Sequence, residues 1–403
     1  MSSVSSVTWM FGVNPTTIGT SCLPRDGVCP VTVSTQATRP QTLARQLLPT
    51  NTPVSLIDPD GHRVEGTDLP MPADEVLLEL HRRIVLGRRF DTQAIALTKQ
   101  GRLAVYPSAR GQEAGEIGAV LALRPQDWLF PTYRDSMAIV SRGVDPVEVL
   151  TLLRGAWHCG YDPHEHNVAP QCTPLATNSL HAVGLAHAAA FKGEDTVALA
   201  MIGDGATSEG DTHEALNFAA VWKSPVVFFV QNNGYAISVP IAKQSAAPSL
   251  AHKGIGYGIP SMFIDGNDPA AVYSAVAEAV RAASEGLGPT LIEALTYRIE
   301  AHTNADDATR YRKRAEVESW LARDPLTRLR RYLLDRGLLH EEDIADLDAE
   351  GEQQAADLRT RMNLDVTPDP DDLFRYVYAE PTPALRSQQQ DLDQELAAAE
   401  GDA

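Results

Sequence analysis

A chain of 403 residues, 43% hydrophobic and 22% charged, has ordinary globular composition and can bury the core of one large domain plus appendages. Its net charge of -19 argues against a nucleic-acid-binding face, which is normally basic, and fits a generic acidic enzyme or docking to a basic partner segment. No apolar run reaches the roughly 18–20 residues of a bilayer span, and four cysteines in so long a chain do not make a disulfide framework, so a cytoplasmic setting is expected.

Residues 1–53 read as a flexible leader, rich in Ser, Thr, Val and Pro over most of their length. The folded part is expected from Val54, with Asp58-Pro59-Asp60-Gly61 as a turn. Apolar residues at Val76, Leu77, Leu80 and Ile84 carry helical spacing and predict a helix over 73–100, and a second follows over 112–123. Residues 182–190 form a helix of small side chains, suited to close packing on a sheet. Strands and helices then alternate: strand 197–202, helix 209–222, strand 226–231, strand 263–265, helix 269–284 and strand 290–295. Asp268 and Pro269 mark the start of the helix at 269 as N-cap and first-turn residue. A polar loop over 300–314 precedes helices at 317–339 and 341–362 and an acidic helix at 388–399. The pattern predicts an α/β fold with a doubly wound, mostly parallel sheet over 54–315 and a helical extension over 316–403. Ligands of such sheets bind at the carboxyl ends of the strands.

Two such ends carry the strongest motif. Gly203-Asp204-Gly205-Ala206-Thr207-Ser208 follows one predicted strand, and Asn232-Asn233 ends the next, with room for one crossover helix between them. A dinucleotide fingerprint would need a third glycine at Ser208 and an acid after the second strand, which here ends in amides. Zinc at His164, His166 and Cys172 has no CxxC or HxxxH pair behind it. A hydrated divalent cation with a diphosphate fits better. Magnesium prefers oxygen ligands, often a carboxylate plus substrate phosphates. Asp204 offers a carboxylate, Asn233 an amide oxygen and Tyr235 a backbone carbonyl, while Gly203 and Gly205 let N–H groups approach phosphate.

Residues 72–330 resemble the alpha subunit of the thiamine-diphosphate-dependent first component of 2-oxo acid dehydrogenase complexes. The likeness runs in order through Gly111-Gln112-Glu113-Ala114, Tyr133-Arg134-Asp135, Pro174-Leu175-Ala176-Thr177, the Gly203 and Asn232 motifs, Gly266-Asn267-Asp268, Gly288-Pro289-Thr290 and Asp306-Asp307. It implies thiamine diphosphate and Mg2+ as cofactors, with Asp204, Asn233 and the Tyr235 carbonyl on the metal. Tyr133 and Arg134 would contact the diphosphate, beside Gly203, Gly205 and Ala206. Leu175, preceded by Thr173, would be the apolar wedge that bends the cofactor, the alternative being an ordinary core leucine. His302 takes the place of the family's active-site loop histidine, as a neutral or protonated imidazole assisting acyl transfer. Arg298, Asp306, Tyr311 and Arg312 would order its loop. Tyr106 and Thr132 are expected near the substrate side chain, and the loop from Cys172 to Asn178 corresponds to a potassium-binding loop with Asn178 in place of Gln.

The implied partners are a beta subunit, in a heterotetramer of two alpha and two beta chains, and a lipoyl-bearing acyltransferase. The beta subunit would supply the glutamate that activates the cofactor. Several relatives carry Arg at the position of Gln231, so Arg134 and His302 would have to compensate, and Thr303 replaces the phosphoserine of mammalian relatives. The segment from Trp128 to Arg134 and residues 290–298 favour branched-chain 2-oxo acids as substrates. Pyruvate is the alternative, and a catalytically silent scaffold a second one.

Overall fold

The computed structural model describes residues 47–365 and 369–401; of the leader expected over residues 1–53, residues 1–46 lie outside them. The described chain opens with the long helix α1 (Asp74–Lys99) and α2 (Glu113–Leu121), then a three-residue strand β1 (Trp128–Phe130). Four short helices, α3 (Ser136–Ser141), α4 (Pro146–Val149), α5 (Thr151–Arg154) and α6 (Pro163–His166), lead to α7 (Thr177–Lys192). Then come β2 (Ala198–Gly203), α8 (Gly210–Trp222), β3 (Val226–Asn232) and a small hairpin of β4 (Tyr235–Ala236) and β5 (Val239–Pro240). β6 (Ser261–Asp265), α9 (Pro269–Ser284) and β7 (Thr290–Leu295) complete the alternating part.

The five main strands form one parallel sheet in the order β1-β2-β3-β7-β6. Both faces are covered, which is why the strands are continuously apolar rather than alternating. Ala198, Ala200 and Ile202 of β2 and Val226, Phe228 and Val230 of β3 pack with Ala182, Ala186, Ala215 and Ala219 of α7 and α8. Their neighbours Leu199, Met201, Val227 and Phe229 point the other way, onto Val120 of α2 and Val272, Val276 and Ala279 of α9. Ahead of α1, Val54 bridges to Ile264, so the incoming chain covers the β6 edge.

Asp268 caps α9 as expected, its Oδ1 accepting the N–H groups of Ala270 and Ala271. Its other oxygen accepts from Leu56 (2.6 Å) and Ile57 (2.8 Å), which ties the incoming segment to the same helix. The helix expected over 317–339 is two: α10 (Arg314–Leu321) and α11 (Pro325–Asp335). Pro325 has no N–H and forces the residue before it out of helical geometry, so Asp324 becomes the N-cap of α11 through Thr327. α11 and α12 (Glu341–Met362) sink Leu329, Leu333, Leu358 and Met362 into one core with Leu77, Leu80 and Ile84 of α1. A buried ion-pair chain fixes the join: Arg88 of α1 reaches both Asp324 and Glu113, at 2.9 and 2.7 Å. Beyond it, α13 (Asp372–Arg375) and α14 (Pro383–Gly401) contribute no buried residue among those described.

Candidate active site

The carboxyl ends of β1, β2 and β3 lie side by side and deliver three loops to one cleft. Gly203 is in register with Gln231, so Asp204 leaves the sheet beside Asn232-Asn233. Gly234, with φ +84, turns the chain back into the β4–β5 hairpin, which closes one wall. Gly205 lies so close to that hairpin that a Cβ would sit 2.8 Å from the Ala236 side chain. The loop after β1 is held by Asp135, whose Oδ2 accepts both the N–H and the hydroxyl of Thr132 at 2.6 and 2.7 Å. The cleft so formed is lined by Thr132, Tyr133, Arg134, Leu175, Gly203, Asp204, Gly205, Ala206, Asn233, Tyr235 and His302.

Positive charge converges here. Arg134 donates to the carbonyls of Ser108 (2.7 Å) and His302 (3.1 Å), and its guanidinium lies over the Tyr133 ring. Arg298, only 2% exposed, donates to the Ile237 carbonyl and the Tyr311 hydroxyl, while its Nε is buried without a hydrogen-bond partner. Among the described residues neither guanidinium forms an ion pair. Both stand 3.2 Å from His302 Nδ1. Guanidinium groups only donate, so Nδ1 is an acceptor and the ring proton sits on Nε2. Burial and the two arginines push the imidazole down to about 4, against a smaller opposing effect of Asp306. Of the two protonation states expected from sequence, the structure selects the neutral one.

The loop around His302 is cross-braced. Its N–H donates to Asp306 Oδ2 at 2.8 Å, and the Tyr311 hydroxyl donates to the same oxygen. Arg312 donates to the carbonyls of Arg298, Ile299 and Glu300 and stacks over Tyr297. Gly111 fits under this strand exit only because it lacks a side chain: a Cβ would meet the Tyr297 carbonyl at 2.2 Å.

Two expected residues stand apart from the cleft. Thr173 is exposed and Tyr106 is buried behind the wall, its hydroxyl donating to Asp91 at 2.9 Å. Leu175, 38% exposed, lines the cleft rather than the core. Asn178 turns its amide onto the carbonyls of Phe130 and Met201, tying β1 to β2. Gln112, Gln231, Ala236, Ile237 and Arg298 also line the cleft. Arg298 was legible as a loop brace, whereas Gln112, at α2's N-cap, stood in the Gly111-Gln112-Glu113-Ala114 motif without being assigned to the site.

Asp204, 1% exposed, accepts from Gln244 at 2.9 Å through Oδ2, and burial raises its carboxyl above the ordinary range. Asn233 Oδ1 faces the Tyr235 N–H at 3.2 Å. A buried carboxylate beside an amide oxygen, facing two guanidinium groups without counter-ions, suits an anion carried on a hard cation. The residues present therefore fit a metal-bound diphosphate. Asp204, Asn233 and the Tyr235 carbonyl could hold the metal, and Arg134, Arg298 and the glycine N–H groups the phosphates.

A family model described as "Dehydrogenase E1 component" matches residues 81–363. The 3-methyl-2-oxobutanoate dehydrogenase subunit alpha of Mycobacterium tuberculosis (strain ATCC 25618 / H37Rv) is 48% identical over 349 residues, covering 86% of this chain and 94% of that protein. The pyruvate dehydrogenase E1 component subunit alpha of Staphylococcus aureus (strain Mu50 / ATCC 700699) is 41% identical over 290 residues, covering 72% of this chain and 78% of its own length.

Proposed function

The chain belongs to the dehydrogenase E1 component family, and from that premise we propose that it is the alpha subunit of a thiamine-diphosphate-dependent branched-chain 2-oxo acid dehydrogenase. The observation that carries the substrate class is the 48% identity over 94% of a 3-methyl-2-oxobutanoate dehydrogenase alpha subunit. The pyruvate relative shares less of its length, so pyruvate is the second reading. The cleft's intact chemistry argues against a silent scaffold.

In this reading thiamine diphosphate and Mg2+ are the cofactors. When bound, thiamine diphosphate supplies the electron sink for loss of the 2-oxo acid's carboxylate. The chain's own residues do the holding. Arg134 and Arg298 neutralise the phosphates, Asp204, Asn233 and the Tyr235 carbonyl seat the metal, and Leu175 presses on the apolar part of the cofactor. His302 keeps its proton at Nε2, where it can donate to an oxygen carrying negative charge during acyl transfer. Over the whole reaction the bond to the carboxylate breaks, carbon dioxide leaves, and the acyl group is oxidised onto one sulfur of a lipoyl disulfide while the other sulfur gains a proton. Thr132 is the residue of this chain assigned to the substrate side chain. Potassium, if bound, belongs to the 172–178 loop.

The working assembly pairs two such chains with two beta subunits that bring the activating glutamate, and docks a lipoyl-bearing acyltransferase. Among the described residues no helix is long and apolar enough to cross a membrane, and we place the assembly in the cytoplasm. Co-purification with the beta subunit and a panel of 2-oxo acids tests the proposal. The pair is expected to turn over 3-methyl-2-oxobutanoate at least about tenfold faster, by kcat/KM, than pyruvate, a margin of roughly 1.4 kcal/mol. Equal rates would remove the substrate assignment, and turnover by the alpha chain alone would remove the shared active site.

A further inference from the structure

Behind the cleft runs a row of side-chain amides whose direction is set at both ends. Asp135 is fully buried, and its Oδ2 already accepts twice from Thr132, so Oδ1 receives the Gln231 Nε2 at 2.6 Å. That turns Gln231 Oε1 towards Gln112, whose Nε2 donates to it at 3.1 Å. Gln112 Oε1 is then left to accept from Asn233 Nδ2 at 3.0 Å. At the far end the Tyr235 N–H, which can only donate, faces Asn233 Oδ1 at 3.2 Å. A carboxylate at one end and a main-chain N–H at the other demand the same orientation of every amide between them. Reversing any one would set oxygen against oxygen between side chains that are nearly buried, Gln112 at 2%, Gln231 at 3% and Asn233 at 7% exposed.

We propose that the relay Asp135–Gln231–Gln112–Asn233 fixes which face of the Asn233 amide meets the divalent cation, making Gln112 and Gln231 positioning residues of the metal site. The proposal rests on the reading of Asn233 as a metal ligand. An asparagine amide is nearly symmetric in shape, so packing alone does not decide whether its oxygen or its NH2 faces the metal. Each bond of the relay adds a preference, and because the bonds are head-to-tail they polarise one another. Gln231 is committed at both ends of its amide. Its contribution to the cofactor therefore passes through Asn233, and the charge for the phosphates comes from Arg134 and Arg298.

The test uses the assembled enzyme with its partner subunit and follows equilibrium binding of thiamine diphosphate while Mg2+ is titrated. In Gln112→Leu and in Gln231→Leu the Mg2+ concentration for half-saturation is expected to rise about 10- to 100-fold, the usual cost of losing an outer-shell partner of a metal ligand. Cofactor affinity at saturating Mg2+ should recover to within about threefold, a split that general loosening of the fold would not give. Gln112→Glu keeps an acceptor for Asn233 but turns an oxygen onto Gln231 Oε1, so it is expected to raise the Mg2+ requirement as Gln231→Leu does, and it serves should the leucine variants fail to assemble: a native requirement in it would overturn the relay. Asp204→Asn is the reference and should abolish Mg2+-dependent binding. If Asp204→Asn loses binding while both leucine variants keep the native Mg2+ requirement, the relay is overturned and the metal site stands. If Asp204→Asn binds normally, the metal site itself is misplaced and the relay falls with it.

Discussion

His302 shows how a side chain's chemistry follows from its neighbours rather than from its type. A loop histidine in water would titrate near neutrality, but here two donor-only guanidinium groups face Nδ1 and the ring is pushed down to about 4. The folded state therefore binds its proton less readily than the unfolded chain. This contribution to stability is present above the unfolded value near 6.5 and is lost as pH falls towards about 4. Nitrogen-15 NMR of the cofactor-free protein is expected to show His302 protonated on Nε2 alone from pH 5 to 8. A titration midpoint near 6.5 would mean that the two arginines do not hold the ring. Much at this scale was readable from sequence: Asp204, Asn233, Arg134 and His302 sit in local motifs, and the structure brings them to one cleft. Gln112 also sits in a quoted motif, but its role did not show, because it lies in contacts with Gln231 and Asn233, more than a hundred residues away in sequence, and no periodicity marks such a pairing. Tyr106 misled in the opposite direction, since an aromatic hydroxyl looks equally apt for a pocket or for a buried carboxylate such as Asp91.

At the scale of elements, the doubly wound sheet was legible because β2, β3 and β7 are long apolar runs broken by helix-period segments. β1 was not. Trp128-Leu129-Phe130 is too short for any period and is followed at once by Pro131. The break between α10 and α11 was legible in principle at Asp324-Pro325, where helical spacing on either side masked a proline. Asp268 joins two elements with one carboxylate: its four acceptor contacts cap α9 and anchor residues 56 and 57. Asp268→Ala leaves those buried N–H groups unanswered and should destabilise the fold by roughly 3 kcal/mol. Urea unfolding checks this. A loss below about 0.5 kcal/mol, the range of ordinary surface substitutions, would show that the contacts are incidental.

At the scale of the whole described chain, the packed helices and the last helices differ in burial. α11 and α12 share a core with α1, and the Arg88–Asp324–Glu113 chain links them to the start of α2, next to the cleft. Glu113 also accepts the Gly111 N–H at 2.7 Å, so helices late in the sequence brace the loop beneath the arginines. Beyond α12 the chain changes character. Leu373, Tyr376, Val377 and Tyr378 are at least half exposed, an unusual run of bare apolar and aromatic side chains. For the isolated chain this tail is an invitation to proteases, which attack unburied segments first. Digestion of the alpha chain alone should trim α13 and α14 and halt at α12, whereas in the complete enzyme a tail seated on another subunit would be cut far more slowly. The rate of that trimming, read from a gel, then becomes a gauge of assembly that needs neither substrate nor cofactor.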